Sequence, residues 1–351
     1  MHNSLQAHVA ALHENAFTVN AHFDLPYDIA NRRERGQRNI VETHYLEGFR
    51  QGQFNLIVSA LFVQNYFLPE MGLRRTLDQI SYLWQELEES PDIMRICTTP
   101  AEMAQAKAEG RIGILLSFEG VDALQQDIHL LRVFYALGVR GVGITWSRRN
   151  YAADGAFFKD VKEGRKGGLT NFGVDVIQAA ESLGMFLDVS HLNDEGFWDV
   201  MACATKPVIA SHSNCRALAD SMRNLTDKQI EALAEKDGVI GMNALSPYVR
   251  ASSDQEKRLG ADDLLDHVDH VVKVAGVRHV GLGFDFCDSF ENYLTMPDNL
   301  ATYDVVPGHG HLGDVTAGLI QRGYSDDDIL LILGGNFLRV FEATLPRGGK
   351  I

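Results

Sequence analysis

Short apolar runs alternate with amphipathic stretches along most of the chain. Eight of these runs are rich in β-branched or large apolar residues, and a stretch with helical periodicity follows each of them. This order is typical of repeated strand-helix units around a parallel sheet. The predicted strands span residues 17–24, 54–63, 111–120, 139–145, 185–190, 206–213, 238–244 and 279–286. Eight units predict an α/β fold whose sheet closes into a (β/α)8 TIM barrel.

The predicted helices lie between these strands and continue beyond the last one. Several begin with Thr, Asp or Asn, which cap helix N-termini. The clearest helices span Arg74–Glu89, Asp122–Leu137, Phe172–Leu183, Thr226–Glu235 and Ala261–Ala275. Two later stretches, Gly313–Arg322 and Ser325–Thr344, predict additional C-terminal helices, and the segment around Pro307–Gly310 is a turn and not a domain linker. We therefore expect residues 1–351 to form a single barrel domain.

Composition narrows the class of protein. A chain of 351 residues, 45% of them hydrophobic, can bury the core of a decorated barrel. The formal net charge of −15, with scattered basic residues, argues against a nucleic-acid partner. The amino terminus lacks signal-peptide features and no uncharged run reaches about 18 apolar residues, which indicates a cytoplasmic protein that is not membrane-bound. The four cysteines form no CxxC pair and are expected to be reduced thiols.

Metal-binding residue types occur where a barrel of this kind places its active site, at the carboxyl ends of the strands. His22 and Asp24 close the first predicted strand, and alternation along a strand points both to the same side. Four more residues end or directly follow later strands: Glu119, His191, His212 and Asp285. Glu119 and Asp285 come after strongly apolar residues, and a carboxylate buried there needs a cation or hydrogen bonds.

These side chains form a ligand set for divalent metal ions. Three imidazoles and two or three carboxylates at one mouth suit zinc or a similar borderline ion. A single catalytic zinc usually takes three protein ligands, so five candidate ligands favour two ions that share a carboxylate. The remaining histidines lie mainly in predicted helices or loops, and we expect them to be solvated. They are His2, His8, His13, His44, His129, His267, His270, His279, His309 and His311.

An ordered series of segments runs over nearly the whole chain: VNAHFDLPYD, LLSFEGVDAL, FYALGVRGVGIT, LDVSHLND, VIASHSNCRALADSMRNLTD, HVGLGFDF and RGYSDDDILLILGGNFLRVFE. In these segments the chain resembles the membrane (renal) dipeptidase family, the M19 peptidases of the amidohydrolase superfamily. The resemblance implies that His22, Asp24 and Glu119 hold one ion. It also implies that Glu119, His191 and His212 hold the other, so that Glu119 bridges the two.

The implied reaction is hydrolysis of a dipeptide or a closely related small amide, with L-Xaa-D-Xaa dipeptides among the candidate substrates. Two divalent ions make a bridging hydroxide available near neutral pH, and one of them polarises the scissile carbonyl. Asp285 would accept the proton of the attacking hydroxide and pass it to the leaving amine. Arg223 would hold the substrate through its carboxylate or carbonyl. The sequence leaves the oligomeric state open, a homo-oligomer included.

The chain also departs from the family pattern around the substrate. The family often has a histidine directly after the threonine of the fourth strand, where this chain has Trp146; we expect Trp146 to contact substrate, with packing at the barrel rim as the alternative. An aromatic residue usual past the seventh strand is replaced by Leu245. The loop Ser147–Asn150 is either a recognition element for an acidic group or a solvated basic pair. The metal ligands thus match the family while the substrate pocket is altered.

Two other functions are compatible with the ligand set. The first is another amidohydrolase reaction, such as deamination or hydrolysis of a lactone or phosphoester. Relatives of that kind usually carry HxH on the first strand and often a carboxylated lysine, whereas this chain has HxD and Glu119. The second is a non-catalytic barrel that binds metal without turnover, and Trp146 is the residue that keeps this alternative open.

Overall fold

The computed structural model describes residues 2–157, 166–251, 258–290 and 302–348. Within these ranges its centre is one sheet of nine parallel strands. They are β1 Val19–Phe23, β2 Leu56–Phe62, β3 Met94–Ile96, β4 Ile112–Glu119, β5 Val139–Gly143, β6 Phe186–Asp188, β7 Val208–Ala210, β8 Val239–Met242 and β9 Val280–Leu282. Eight of them follow one another in the order β1-β2-β4-β5-β6-β7-β8-β9, and each lies inside one of the predicted strands. The prediction of a TIM barrel is confirmed.

The strand β3 is the one that the hydrophobic pattern does not predict. It pairs with the beginning of β4, with Met94 opposite Ile112 and Ile96 opposite Ile114. β5 pairs with the later part of β4, from Leu116 onward. β3 is therefore an addition to the sheet at the amino end of β4. β6, β7 and β9 are equally short but lie inside longer apolar runs, whereas β3 has only two apolar residues, on either side of an arginine, and belongs to no such run.

Helices follow the strands and extend past the last one. They are α1 His2–Asn15, α2 Leu25–Glu34, α3 Leu46–Gln51, α4 Gly72–Glu89, α5 Pro100–Ala108, α6 His129–Ala136, α7 Asn171–Leu183, α8 Asp194–Cys203, α9 Asp227–Glu235, α10 Ser246–Val249, α11 Ala261–Ala275, α12 Leu312–Gln321, α13 Asp326–Leu330 and α14 Asn336–Thr344. The stretch predicted as one helix from Asp122 is a 3-10 turn at Val121–Leu124 followed by α6. Gln125 separates the two with a φ of 51°, which no α-helix tolerates. None of the described helices is long and apolar enough to cross a membrane.

Local sequence signals fix several helix ends. Thr226 and Gln229 form a capping box at the start of α9. Thr170 accepts a hydrogen bond from the Gly173 N–H at the start of α7, and Gly184 ends that helix in the left-handed region, with a φ of 76°. The residues that cap these ends are adjacent in the sequence to the helices they begin or end, so the ends can be predicted from the sequence.

The barrel closes where β1 meets β9 and the loop after it, through the Asn20 side chain and one backbone hydrogen bond. No backbone ladder joins these two strands in the described part of the chain. Asn20 bridges them instead, because its Oδ1 accepts hydrogen bonds from the Phe284 N–H at 3.0 Å and the His22 N–H at 3.4 Å. Its amide Nδ2 contacts His309 Nε2 at 3.0 Å. Asp285, the residue after Phe284, donates its backbone N–H to the His22 carbonyl at 3.4 Å.

Three histidines expected to be solvated are buried, so that expectation is wrong for them. His309 lies edge-on against aromatic rings, with centroids 4.8 Å from Phe23 and 4.6 Å from Phe49. His13 contacts the Thr316 hydroxyl at 2.7 Å, and His267 contacts the Val249 carbonyl at 2.8 Å. In each case the partner is distant along the chain, so the local pattern around the histidine carries no sign of it.

We expect Asn20→Ala to destabilise the metal-free protein, because it leaves buried backbone N–H groups at the β1–β9 seam without an acceptor. Each such group costs about 1–3 kcal/mol. Urea unfolding should show a clear fall in the midpoint. Asn31→Ala is the control, since the Asn31 amide donates to the Tyr27 carbonyl one helical turn away in α2 and its loss leaves no backbone N–H without an acceptor. Equal, small shifts for both variants would contradict this role of Asn20.

Candidate metal centre

Six predicted site residues meet at the carboxyl ends of the strands. His22 lies in β1 and Asp24 directly follows it, while Glu119 is the last residue of β4. The other three lie in the loops just past β6, β7 and β9: His191, His212 and Asp285. Five of the six are buried, and the Asp285 side chain is 16% exposed. The barrel thus brings together residues up to 263 positions apart (285 − 22).

Glu119 is at the centre of a first group of donor atoms. Its Oε1 lies 2.9 Å from His191 Nε2 and 3.5 Å from His212 Nε2. The two imidazole Nε2 atoms are 2.8 Å apart. All three atoms therefore converge on one point, which is the arrangement that ligands of a single ion adopt.

A second group of donor atoms surrounds His22. Its Nε2 lies 3.7 Å from Glu119 Oε1, 4.0 Å from Asp24 Oδ1 and 3.7 Å from Asp285 Oδ1. Donor atoms of His22, Asp24 and Asp285 all lie within 4.8 Å of one another, as do those of His22, Glu119 and His212. Glu119 and His22 therefore connect the two groups.

Three buried donor atoms have no hydrogen-bond partner among the described residues: His22 Nε2, Asp24 Oδ1 and Glu119 Oε2. A buried polar atom without a partner is costly, and such atoms are rare in folded proteins. A cation between them would satisfy all three at once. Imidazole nitrogens and carboxylate oxygens are also the donors that borderline divalent ions prefer, so the residues fit a metal site.

The electrostatics of the cluster point the same way. Burial lowers the pKa of His22 to about 3 and lowers the pKa of His191 and His212 well below the usual value. The imidazoles are therefore neutral, which is their ligand form. Burial, reinforced by repulsion from neighbouring carboxylates, raises the pKa of Asp24 and Glu119 well above the usual range. A nearby divalent cation stabilises the charged carboxylates and removes this cost.

Two of the site residues have a left-handed backbone. The φ angle is 70° at His191 and 55° at Asp285. Residues with a Cβ rarely adopt this conformation, and it persists where surrounding contacts impose it. At His191 the carbonyl oxygen accepts hydrogen bonds from the Ala156 N–H at 2.6 Å and the Thr145 hydroxyl at 3.2 Å. These contacts hold the turn through which His191 enters the cluster.

Several polar residues that orient the cluster are missing from the sequence predictions. The Ser147 hydroxyl lies 2.7 Å from His191 Nδ1, and the Ser211 hydroxyl lies 2.7 Å from His212 Nδ1. Asp188 in turn accepts from Ser211. Asn243, at the end of β8, donates its amide to Asp285 Oδ2 at 2.9 Å. Of these orienting residues, Asp188 is the one that a local sequence signal could have found. In LDVSH it lies two residues before a serine, so the carboxylate and the serine point to the same side of a strand.

Arg223 is buried beside the cluster, with 3% exposure. Its Nη2 donates to the His212 carbonyl at 2.9 Å, and its guanidinium carbon lies 5.5 Å from the centre of the Tyr248 ring. Its Nε has no hydrogen-bond partner, and the described residues supply no ion pair for it. Tyr248 thus brings an aromatic ring to this part of the site, three residues after the buried Leu245.

Trp146 lies between the metal cluster and the rim. Its ring centre is 5.9 Å from the His191 ring and 5.0 Å from the Phe62 ring. The Arg148 guanidinium lies 5.2 Å from the Trp146 ring and binds Asp122 at 3.2 Å. Its neighbour in sequence, Arg149, pairs with Asp154. Both basic side chains of the loop are thus ion-paired within the protein, and the Arg149 side chain is 43% exposed.

The fold and the cluster together define a metal-dependent hydrolase built on a (β/α)8 barrel. A sequence model of the membrane dipeptidase family, peptidase family M19, matches residues 6–346, and the chain belongs to this family. The resemblance predicted from the sequence is confirmed, and with it a metal-dependent dipeptidase that acts on peptide bonds. The family relation implies divalent metal ions.

Individual relatives agree with this assignment. An uncharacterized protein from the pqqA 5′ region of Klebsiella pneumoniae is 31% identical over 275 residues, which are 76% of this chain and 97% of that protein. An uncharacterized dipeptidase of Schizosaccharomyces pombe is 28% identical over 94% of this chain and 81% of its own length. The crystal structure of a metallopeptidase from Rhodobacter sphaeroides, bound to a phosphinate mimic of L-Ala-D-Ala, superposes with a TM-score of 0.81 at 25% identity, covering 93% of this chain and 99% of that one.

We expect Asp285→Asn to change how the stability of the metal-free protein depends on pH. Burial raises the pKa of Asp285 to about 6. Between about pH 4 and 6 the carboxyl group is therefore protonated in the folded state but already ionised in the unfolded state. Ionisation of this group therefore destabilises the wild type as pH rises through that range, by up to about 3 kcal/mol above pH 6.

The asparagine variant lacks this penalty. Urea midpoints of the two metal-free proteins, measured from pH 4.5 to 7.5, should diverge as pH rises to about 6 and then run parallel. A constant difference over the whole range would show that Asp285 ionises normally.

Proposed function

We propose that the protein hydrolyses the amide bond of small dipeptides, L-Xaa-D-Xaa dipeptides among them, with two zinc ions as its cofactor. One observation carries the proposal: a buried arginine, with no ion pair among the described residues, lies next to a cluster of metal-binding side chains in which three donor atoms have no hydrogen-bond partner there. The cluster supplies a place for the scissile amide, and Arg223 supplies a place for the carboxylate of a dipeptide. The L-Ala-D-Ala mimic bound by the Rhodobacter sphaeroides relative supports a substrate of this size.

In this proposal His22, Asp24 and Glu119 hold one ion, while Glu119, His191 and His212 hold the other. The two oxygens of Glu119 support the shared role. Oε1 lies against the imidazoles of His191 and His212, and Oε2 has no hydrogen-bond partner among the described residues. When bound, divalent ions of this kind lower the pKa of water and polarise a carbonyl. As a shared ligand, Glu119 belongs with Asp285 among the catalytic residues.

Asp285 is the proposed proton carrier. Its side chain is partly exposed, unlike those of the buried ligands, and Asn243 fixes its Oδ2 at 2.9 Å. A pKa raised by burial to about 6 suits a group that must accept and release a proton near neutral pH. Asp285 accepts a proton from the attacking water and delivers it to the nitrogen of the leaving amino acid.

Arg223 is the proposed anchor for the substrate carboxylate. A buried guanidinium without a carboxylate partner is costly, and an incoming carboxylate would offset that cost through charge-assisted hydrogen bonds. The Tyr248 ring and the His212 carbonyl fix the plane of the guanidinium. Arg223 thereby favours substrates whose free carboxyl group lies one residue beyond the scissile bond, as it does in a dipeptide.

We also propose that residues 1–351 form one domain and that the protein is cytoplasmic. The family match over residues 6–346 supports a single domain. All four cysteines are unpaired thiols, which is typical of a reducing compartment.

The zinc-loaded protein should contain about two zinc equivalents and cleave dipeptides in a panel of L,L and L,D compounds.

Glu119→Gln should lose zinc from both sites, whereas His22→Ala should weaken mainly one. Asp285→Asn is the matched variant that keeps both ions but loses about 10²–10⁴-fold in kcat. A single equivalent in fully active enzyme would overturn the two-ion assignment, and an inactive protein with both ions would favour the non-catalytic alternative.

We expect Trp146→Ala to change the ranking of dipeptides with large and small side chains while zinc content stays normal, because the indole packs beside a proposed metal ligand. Its N–H can donate one hydrogen bond but carries no positive charge, so Trp146→His should raise kcat on simple dipeptides if the site lacks an oxyanion donor. The measurement is kcat/KM over the panel for all three proteins. A loss of thermal stability with unchanged relative kcat/KM values would show that Trp146 only packs at the rim.

A further inference from the structure

Asp188 is a buried carboxylate without a cationic partner in the described structure. It is the last residue of β6 and is 5% exposed. Its Oδ1 accepts two backbone N–H groups, from Ser190 and Ser211, both at 2.9 Å. Its Oδ2 accepts the Ser211 hydroxyl. A charge this deeply buried normally has a counter-charge nearby, so its position requires an explanation.

The inventory of donors and acceptors gives these hydrogen bonds one direction. The two backbone N–H groups that donate to Oδ1 stabilise the ionised carboxylate against the effect of burial, and an ionised carboxylate only accepts, so the Ser211 hydroxyl gives its hydrogen to Asp188. The Ser211 oxygen can then only accept from His212 Nδ1, which lies 2.7 Å away. His212 therefore carries its proton on Nδ1. Its Nε2 is left with a lone pair directed at the point where Glu119 Oε1 and His191 Nε2 converge.

The backbone at Ser211 is held in place by close packing. A Cβ added at Gly283 would lie 1.7 Å from the Ser211 carbonyl oxygen, and one at Gly241 would lie 2.0 Å from it. Only glycine allows β8 and the β9 loop to approach Ser211 this closely. The serine hydroxyl is thus fixed between Asp188 and His212.

The imidazoles of His191 and His212 are supported differently. His191 Nδ1 contacts the Ser147 hydroxyl, and no carboxylate stands behind that hydroxyl in the described structure. His212 is backed by a hydroxyl and a carboxylate in series. A carboxylate behind a ligating histidine fixes its tautomer and raises its basicity.

We propose that Asp188 is a positioning residue of the metal centre, which acts through Ser211 to hold His212 in the tautomer that binds metal and to strengthen Nε2 as a ligand. The inference rests on the proposed function, because the ion is the positive charge that Asp188 faces through the relay. Asp188 touches neither substrate nor ion. Its effect therefore appears in zinc affinity and in the protonation of the His212 ring.

Asp188→Asn reverses the relay without changing its shape. The amide oxygen keeps the Oδ1 position, because two backbone N–H groups donate there, and the NH₂ group takes the place of Oδ2. The amide then donates to the Ser211 oxygen, and the serine hydrogen turns toward His212 Nδ1. This favours the tautomer with the proton on Nε2, which blocks the metal-binding nitrogen.

The test is zinc affinity, by competition with a chelator, together with long-range ¹H–¹⁵N correlation spectra of the histidine rings in the metal-free protein. We expect Asp188→Asn to lose about 10–100-fold in affinity for zinc and to move the His212 proton from Nδ1 to Nε2. Glu86→Gln is the control, since it also converts a fully buried carboxylate into an amide, in α4, where it binds Arg33 and the Val41 N–H. Its zinc affinity should equal that of the wild type.

Zinc affinity and a His212 tautomer unchanged by Asp188→Asn would overturn the relay. If that variant does not fold, the metal-free wild type decides, because a His212 proton found on Nε2 contradicts the assigned direction. Failure of the wild type to bind zinc would overturn the proposed function instead. The tautomer in the metal-free protein tests the relay separately from that outcome.

Discussion

The dominant constraint on this structure is the burial of several carboxylates next to neutral imidazoles at one end of the barrel. Asp24, Glu119 and Asp285 lie within a few ångströms of the same histidine, and burial makes their ionisation costly. Mutual repulsion adds to that cost. Cations reverse it, and the family relation shows that this chain depends on them. The surroundings of the cluster can be understood as means of holding these donors in place.

The barrel holds the donor atoms of the cluster in place in two ways. Its strands fix the Cα positions, while short polar side chains fix the orientation of the rings. Asn20 joins β1 to the β9 loop, and so sets His22 against Asp285. Serine hydroxyls hold the imidazoles of His191 and His212, and Asn243 holds Asp285. Apart from the Ser211 contact, which joins adjacent residues, these contacts cross between neighbouring strands or loops, so the geometry of the cluster depends on the closure of the barrel.

The loop after β5 joins the metal centre to the mouth. In three consecutive residues, Trp146 packs beside the His191 ring, Ser147 binds its Nδ1 and Arg148 ties the loop to Asp122 after β4. The departure predicted from the sequence, tryptophan where the family often has histidine, lies in this loop. Because one loop carries all three contacts, a change at Trp146 or Arg148 also alters the support of His191.

The sequence by itself determined the strands, the barrel and the set of residues at the strand ends. Apolar runs and helix caps extend over a few residues, so they can be identified in the sequence, and the ordered family segments identified the family. Only the tertiary structure showed β3, the burial of His309, the pairing of Arg148 with Asp122 and the path from Asp188 to His212. These contacts depend on which side chains the closed barrel brings together, and their partners come from separate strands and loops. A local pattern shows that a segment is apolar, but it does not show which residue each side chain meets or which polar side chains become buried.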